Sequence, residues 1–98
     1  MATIRVDFGS GFEGDTVVAS ANGREARADG VTSDLRTGLA ESVELDVPDG
    51  VVELRLSVPT RGAEATLPVA AEGVAFVRAD LVEGELRAAP VADEPFYL

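Results

Sequence analysis

The sequence predicts an all-β domain, an antiparallel sandwich of seven to eight strands, and three observations carry that prediction. Apolar and polar residues alternate with a period of two in segment after segment. Turn dipeptides recur every ~8–12 residues, as they do in antiparallel sandwiches and small barrels. Apolar residues make up 46% of the 98-residue chain, but 15 of them are Ala and 14 are Val. A core of such small side chains favours closely packed sheets over large pockets. A chain of this length supports one core and no second domain.

The elements follow in order. Ile4, Val6 and Phe8 alternate with Thr3, Arg5 and Asp7, which marks a half-buried first strand. A glycine-rich loop leads to a second strand at 15–21. Asn22-Gly23 then gives the strongest short hairpin signal, because both residues tolerate positive φ. A third strand follows at 24–30. Residues 32–42 form the longest irregular stretch, and Gly38 with its sparse apolar neighbours limits it to one helical turn. Val43, Leu45 and Val47 alternate with Glu44 and Asp46. Pro48-Asp49-Gly50 turns the chain into the next strand, where Val52, Leu54, Leu56 and Val58 alternate with Glu53, Arg55 and Ser57. Further strands are expected at 63–71, 74–81 and 85–91, the last two joined by Glu83-Gly84. Phe8 and Phe76 are expected in the core. Nothing divides the chain internally, so residues 1–92 read as one sandwich domain and residues 93–98 as a C-terminal tail.

The progression Gly30-Val31-Thr32-Ser33-Asp34, Gly38-Leu39-Ala40, then Val47-Pro48-Asp49-Gly50-Val51-Val52-Glu53-Leu54-Arg55-Leu56 resembles the V-T-T-D, G, P-x-G-x-Y-x-L-x-V progression of prealbumin-like sandwiches. That group includes the carboxypeptidase-regulatory-like, transthyretin-like and collagen-adhesin B-type domains. The resemblance covers residues 16–70, with Val52 standing where those families often carry Tyr. It implies an Ig-like sandwich serving as a spacer, docking or binding accessory module without catalytic residues. Adhesin B-type domains often carry a Lys–Asn isopeptide cross-link, and a chain without Lys has no such link.

The composition narrows the chemistry. There is no His, Cys, Trp or Lys, so the usual general base, thiolate, Schiff-base amine and soft metal ligands are absent, and the chain is not expected to be an enzyme. Zero Cys excludes a disulfide scaffold and a thiolate zinc module. The formal charge is −10, and both halves of the chain carry part of it. A uniformly acidic surface repels phosphate backbones and anionic lipid, so neither nucleic acid nor a membrane is an expected partner. The first residues show no basic leader or apolar signal core, which makes a cytoplasmic location the expectation. Abundant Ala, Val, Gly and Arg beside no Lys reads as the coding bias of a GC-rich, bacterial genome.

Several constellations require a mechanistic answer. Gly9-Ser10-Gly11-Phe12-Glu13-Gly14 matches the dinucleotide G-x-G-x-x-G fingerprint, which works by presenting a helix N-terminus to a pyrophosphate. Here Thr16-Val17-Val18 follows, a β-branched run that reaches a hairpin turn within a few residues. Glu13 and Asp15 would also repel phosphate. A structural loop between the first two strands is therefore expected. The carboxylate pairs Glu44/Asp46, Glu83/Glu85 and Asp93/Glu94 could suggest acid–base chemistry, but the first two read as the solvated face of a strand. Ser and Thr nucleophiles lack a His or Lys base. Calcium is the one ion the composition permits: Asp29, Asp34, Asp46 and Asp49 lie in or beside expected loops, although the D-x-[DN]-x-[DN]-G loop is missing. No cofactor is expected. A flat aromatic platform for sugars lacks the residues to build it.

The C-terminal Asp93-Glu94-Pro95-Phe96-Tyr97-Leu98 is the favoured partner-binding element. Pro95 keeps the preceding backbone extended, and Phe96, Tyr97 and Leu98 suit a partner's apolar groove. The opposing reading folds Phe96 or Leu98 back to plug the open end of the sandwich, and both stay open. Exposed edge strands offer a second means of association, with a protein partner or as a homo-oligomer. The expected function is thus a non-catalytic protein-interaction or assembly module. The alternative is a Ca²⁺- or small-ligand-binding domain using acidic end loops.

Overall fold

The computed structural model describes residues 1–33 and 41–91. They form eight strands: β1 (Ala2–Phe8), β2 (Asp15–Ala21), β3 (Arg24–Val31), β4 (Glu41–Val47), β5 (Gly50–Val58), β6 (Ala63–Ala71), β7 (Val74–Val82) and β8 (Glu85–Val91). Two four-stranded sheets result, sheet A in the order β4-β1-β7-β8 and sheet B in the order β3-β2-β5-β6. The all-β sandwich expected from the alternation is therefore present.

Three hairpins are local. Asn22 and Gly23 (φ 50° and 77°) turn β2 into β3, and Glu83 and Gly84 (φ 51° and 80°) turn β7 into β8. Both pairs have the double positive φ whose twist suits a two-residue hairpin. The β5–β6 hairpin is closed by Arg61 N donating to the Val58 carbonyl at 2.9 Å. The remaining links, β1 to β2, β3 to β4, β4 to β5 and β6 to β7, carry the chain from one sheet to the other.

One part of the expected arrangement needs correction. Sheet B is antiparallel throughout, but β1 and β7 run parallel in sheet A, in register from Thr3↔Val74 to Phe8↔Ala79. Sheet A is therefore mixed. The cause is the even number of chain reversals, six, that separate the two strands: hairpins and sheet crossings alike reverse the chain, so β7 starts at the same pole as β1. Pairing there sets inward Val6 beside Val77 and outward Asp7 beside Arg78. Local alternation and turn chemistry dictate neither feature.

The inward faces are built as the alternation requires. Ile4, Val6 and Phe8 from β1, Val17 and Ala19 from β2, Leu54, Leu56 and Val58 from β5, and Val77 and Ala79 from β7 are fully buried. Phe12, in the loop after β1, is also buried and meets Phe8 edge-on, with ring centroids 5.7 Å apart and planes at 89°. That geometry suits the quadrupoles of two aromatic rings. Phe76, expected in the core, is only half-buried. In β7 the inward positions are Val77, Ala79 and Leu81, which puts Phe76, Arg78 and Asp80 on the outer face. One residue of parity decides this.

Truncation should therefore separate the two aromatics. Phe12→Ala is expected to cost about 3–5 kcal/mol by loss of buried area and a residual cavity, while Phe76→Ala should cost less than about half of that. Urea denaturation midpoints of the two variants check it, and equal losses would contradict this placement.

Candidate functional site

One pole of the sandwich gathers the loop Gly9–Gly14, the end of β3 and the β5–β6 and β7–β8 turns. It is the pole where a sandwich would place a ligand site, and it contains the glycine fingerprint. The structure shows where those backbone donors go. Gly9 N donates to the Ala79 carbonyl at 2.7 Å, and Leu81 N donates to the Ser10 carbonyl at 2.9 Å, continuing the pairing of β1 along β7. Ser10 N and Oγ donate to Asp80 Oδ1 at 2.8 and 3.1 Å. Phe12 N donates to Ser33 Oγ at 3.0 Å, and that hydroxyl in turn donates to the Gly9 carbonyl at 2.7 Å. Gly14 N donates to Thr32 Oγ1 at 3.0 Å. Strand β2 follows where the fingerprint requires a helix. The loop is a structural bridge and offers phosphate no open cradle.

One of its glycines is required by the same packing. Gly11 has φ 95°, and a Cβ there would overlap the Leu81 carbonyl oxygen, so the loop can lie flat against β7 only with glycine at this position.

Asp15 locks the other side of the loop. Its residue is 2% exposed, yet its carboxylate accepts three hydrogen bonds, from Glu13 N at 2.9 Å, Thr60 Oγ1 at 2.7 Å and Arg61 Nε at 2.9 Å. Burial alone would raise its pKa, but these donors and the Arg61 charge outweigh burial and hold it below the ordinary value of 3.8. At Asp80 burial is likewise outweighed, by Arg78 and Ser10, and that pKa is also lowered. Asp29, held by Thr16 Oγ1 and Arg27, shifts the same way. All three departures stabilise the ionised form. A general acid would need the opposite.

On the outer face of sheet A, Asp7 is fully buried although its register points it away from the core. It accepts from Arg5 Nε at 3.0 Å and from Ser42 Oγ, and Arg78 and Asp80 pair beside it at 3.2 Å. Among the described residues, no buried side-chain nitrogen or oxygen lacks a partner. Nor is any group of three His, Cys, Asp or Glu among them placed to hold a metal ion.

The three described acids considered for calcium, Asp29, Asp46 and Asp49, do not converge. Asp29 lies near the loop pole, where Thr16 holds it, whereas Asp46 accepts from Thr3 Oγ1 at 3.1 Å and Asp49 faces the Met1 amino group at 3.6 Å at the opposite pole. A strand of seven residues separates the two ends by about 20 Å. Asp34 lies outside the described residues, as do Asp93 and Glu94. Glu44, Glu83 and Glu85 are exposed on strands or turns. Phe96, Tyr97 and Leu98 also lie outside the described residues. Strand β8 ends at Val91, beside a shallow groove of about 430 Å³ that Pro68, Val74 and Phe76 also line.

The sheet edges, the other expected means of association, differ from one another. In β3 the register slips between the Asp15 and Val17 pairings, the mark of a bulge at Asp29-Gly30, and Arg24, Glu25, Arg27 and Asp29 are exposed. Strand β6 contains Pro68 and β8 contains Pro90. A proline in an edge strand sits where its missing N–H would face outward, leaving a gap in the donor row. Strand β4 has neither device. It pairs with β1 without a break from Ala2↔Val47 to Phe8↔Glu41, and among the described residues no strand lies beyond it. Among the described residues no helix is long and apolar enough to cross a membrane. No family model matches this chain, and no curated protein or solved structure matches it.

The Asp15 clamp makes a pH prediction. A carboxyl whose folded pKa lies below its unfolded value contributes stability that is complete above the unfolded value, about 4, and is lost as pH falls through the folded pKa. Unfolding midpoints should therefore fall on acidification below about pH 4. Asp15→Asn should cost about 1–3 kcal/mol at pH 7 and reduce that acid slope, leaving the part due to Asp80 and Asp29. A variant with an unchanged slope would show that Asp15 titrates alike in both states.

Proposed function

We propose that this domain is a non-catalytic protein-interaction or assembly module, acting through its sheet edges and its aromatic C-terminal residues Phe96, Tyr97 and Leu98. The observation that carries the reading is the uneven protection of the edges: three of the four described edge strands carry a bulge or a proline, and β4 carries neither. Edges are blunted where strand addition must be prevented, so an unblunted one is a surface left available for it. The glycine loop supports the same reading, because its donors are committed to the fold. We further propose that the sandwich is Ig-like, of the prealbumin-like kind that the progression around Val47–Leu56 resembles, and that it works in the cytoplasm as an accessory domain.

The test is capture by the full chain, tagged at its N-terminus, beside a chain ending at Glu94, each followed by rebinding of the purified captured protein and by sedimentation at rising concentration. A defined protein that rebinds, or a concentration-dependent oligomer, is the expected result. Loss of it on removal of residues 95–98, with the circular dichroism of the sandwich unchanged, would place the contact in Phe96–Leu98. A chain that rebinds no protein and remains monomeric overturns the reading.

A further inference from the structure

We infer that β4 is the docking edge and that its occupant is an extended segment of a second protein with Arg or Lys at alternate positions and apolar residues between them. This rests on the interaction-module reading above and adds the strand and the chemistry of the partner.

The backbone supplies the first requirement. Over seven residues β4 lies in unbroken register against β1, so a strand laid along its other side meets the row of donors and acceptors that β1 leaves free, of which the Ser42 amide already donates to a side chain, Glu41 Oε1 at 3.0 Å. Side chains supply the second. The positions of β4 that face outward are Ser42, Glu44 and Asp46, with Leu45 and Val47 buried on the inward side. Glu41, Glu44 and Asp46 are exposed, and β4 contains no basic residue. An added strand would set its own outward side chains beside these acids, where opposite charges attract and like charges repel. On the inward side it would meet Val43 of β4 and Ala26 and Ala28 of β3, which pack against the core but remain partly exposed. That strip accepts apolar side chains at every second position. The two faces together specify an alternating basic and apolar strand.

A second copy of the chain does not meet that description through β4. In an antiparallel β4–β4 pair that keeps Val43, Leu45 and Val47 inward, outward residues can face only Ser42, Glu44 and Asp46 of the other copy. Glu44 then meets Glu44, Asp46 or Ser42, and no arrangement offers it a cation. The basic residues of β3 and β8 sit on strands already interrupted by the bulge and by Pro90.

The probe is a nine-residue peptide alternating Arg and Val, compared with one in which Glu replaces Arg and with one N-methylated at every second amide. Backbone ¹⁵N–¹H spectra of the full chain should change within Glu41–Val47 on addition of the Arg peptide, with slowed hydrogen exchange at alternate amides of that strand. Affinity should fall about tenfold in Glu44→Arg/Asp46→Arg, because two attractive cross-strand pairs become repulsive. Glu44→Gln/Asp46→Asn, a milder change should the reversal disturb folding, should lose about threefold. Glu85→Arg, the same change of charge on the β8 edge, should leave affinity within about twofold. The Glu peptide and the N-methylated peptide should not bind. Changes spread over all acidic surfaces, equal binding of the N-methylated peptide, or no binding at about 1 mM overturn the assignment. A captured protein that rebinds Glu44→Arg/Asp46→Arg undiminished overturns the β4 assignment alone and leaves the interaction-module reading standing.

Discussion

The fold depends on how the loop after β1 is held. Strands β1 and β2 belong to different sheets, and the loop Gly9–Gly14 must cross between them while closing one end of a core made mostly of Val, Ala and Leu. Phe12 supplies the volume that such side chains cannot, and its contact with Phe8 ties the closure to the central strand of sheet A. Around it the loop is fastened to β7 through Asp80 and the Ala79 carbonyl, to the end of β3 through Ser33 and Thr32, and to the β5–β6 turn through Asp15. Elements far apart in the chain thus meet at one short segment. Most of this is non-local, and so is the β1–β7 pairing, which favours a cooperative and comparatively slow assembly.

The hydrogen bonds of this loop also bear on function. Sandwiches commonly bind ligands through end loops, and here the fingerprint glycines and nearby acids make such a site look available. The Gly9, Ser10, Phe12 and Gly14 amides each donate to protein acceptors, and Asp15 and Asp80 each receive a cation and hydroxyl or amide donors. These groups act as internal crosslinks. Backbone donors and acceptors not committed in this way lie along the sheet margins, where the proposed recognition would take place.

Much of the architecture was legible because it is local. The alternation at Ile4–Phe8, Val43–Val47 and Val52–Val58 and the turns at Asn22-Gly23 and Glu83-Gly84 depend on near neighbours, and all appear where those rules place them. What escaped was non-local. The parallel partner of β1 depends on which strands share a sheet and on how many reversals of the chain lie between them, and the half-exposed position of Phe76 on the parity of β7. Phe12 was hidden because a single aromatic within a glycine-rich loop has no periodicity to reveal its direction. The Asp15 clamp could be anticipated only by knowing that Thr60 and Arg61, some 45 residues later, return to the same pole. Of the candidate interaction residues, the strand edges could be listed from the sequence but not ranked, since an edge exists only once the strand order is fixed.

The strand order also gives the acidic composition a pattern. Taken as a total, a charge of −10 is a solubilising coat that discriminates against polyanions and says little else. Placed on the strands, the charges divide. Arg27 pairs with Asp29 at 3.1 Å along β3 and Arg87 with Glu85 at 3.4 Å along β8, so these two edges carry both signs, whereas β6 carries one acid, Glu64, paired at 2.8 Å with Arg55 of β5. Strand β4 carries three acids and no base, on an edge without proline or bulge. An edge of mixed sign next to a bulge or proline discourages pairing of any kind, whereas an unbroken edge of one sign discourages copies of itself and admits a strand of the opposite sign. Under the proposed reading it is the distribution of charge, more than its amount, that would make the surface selective.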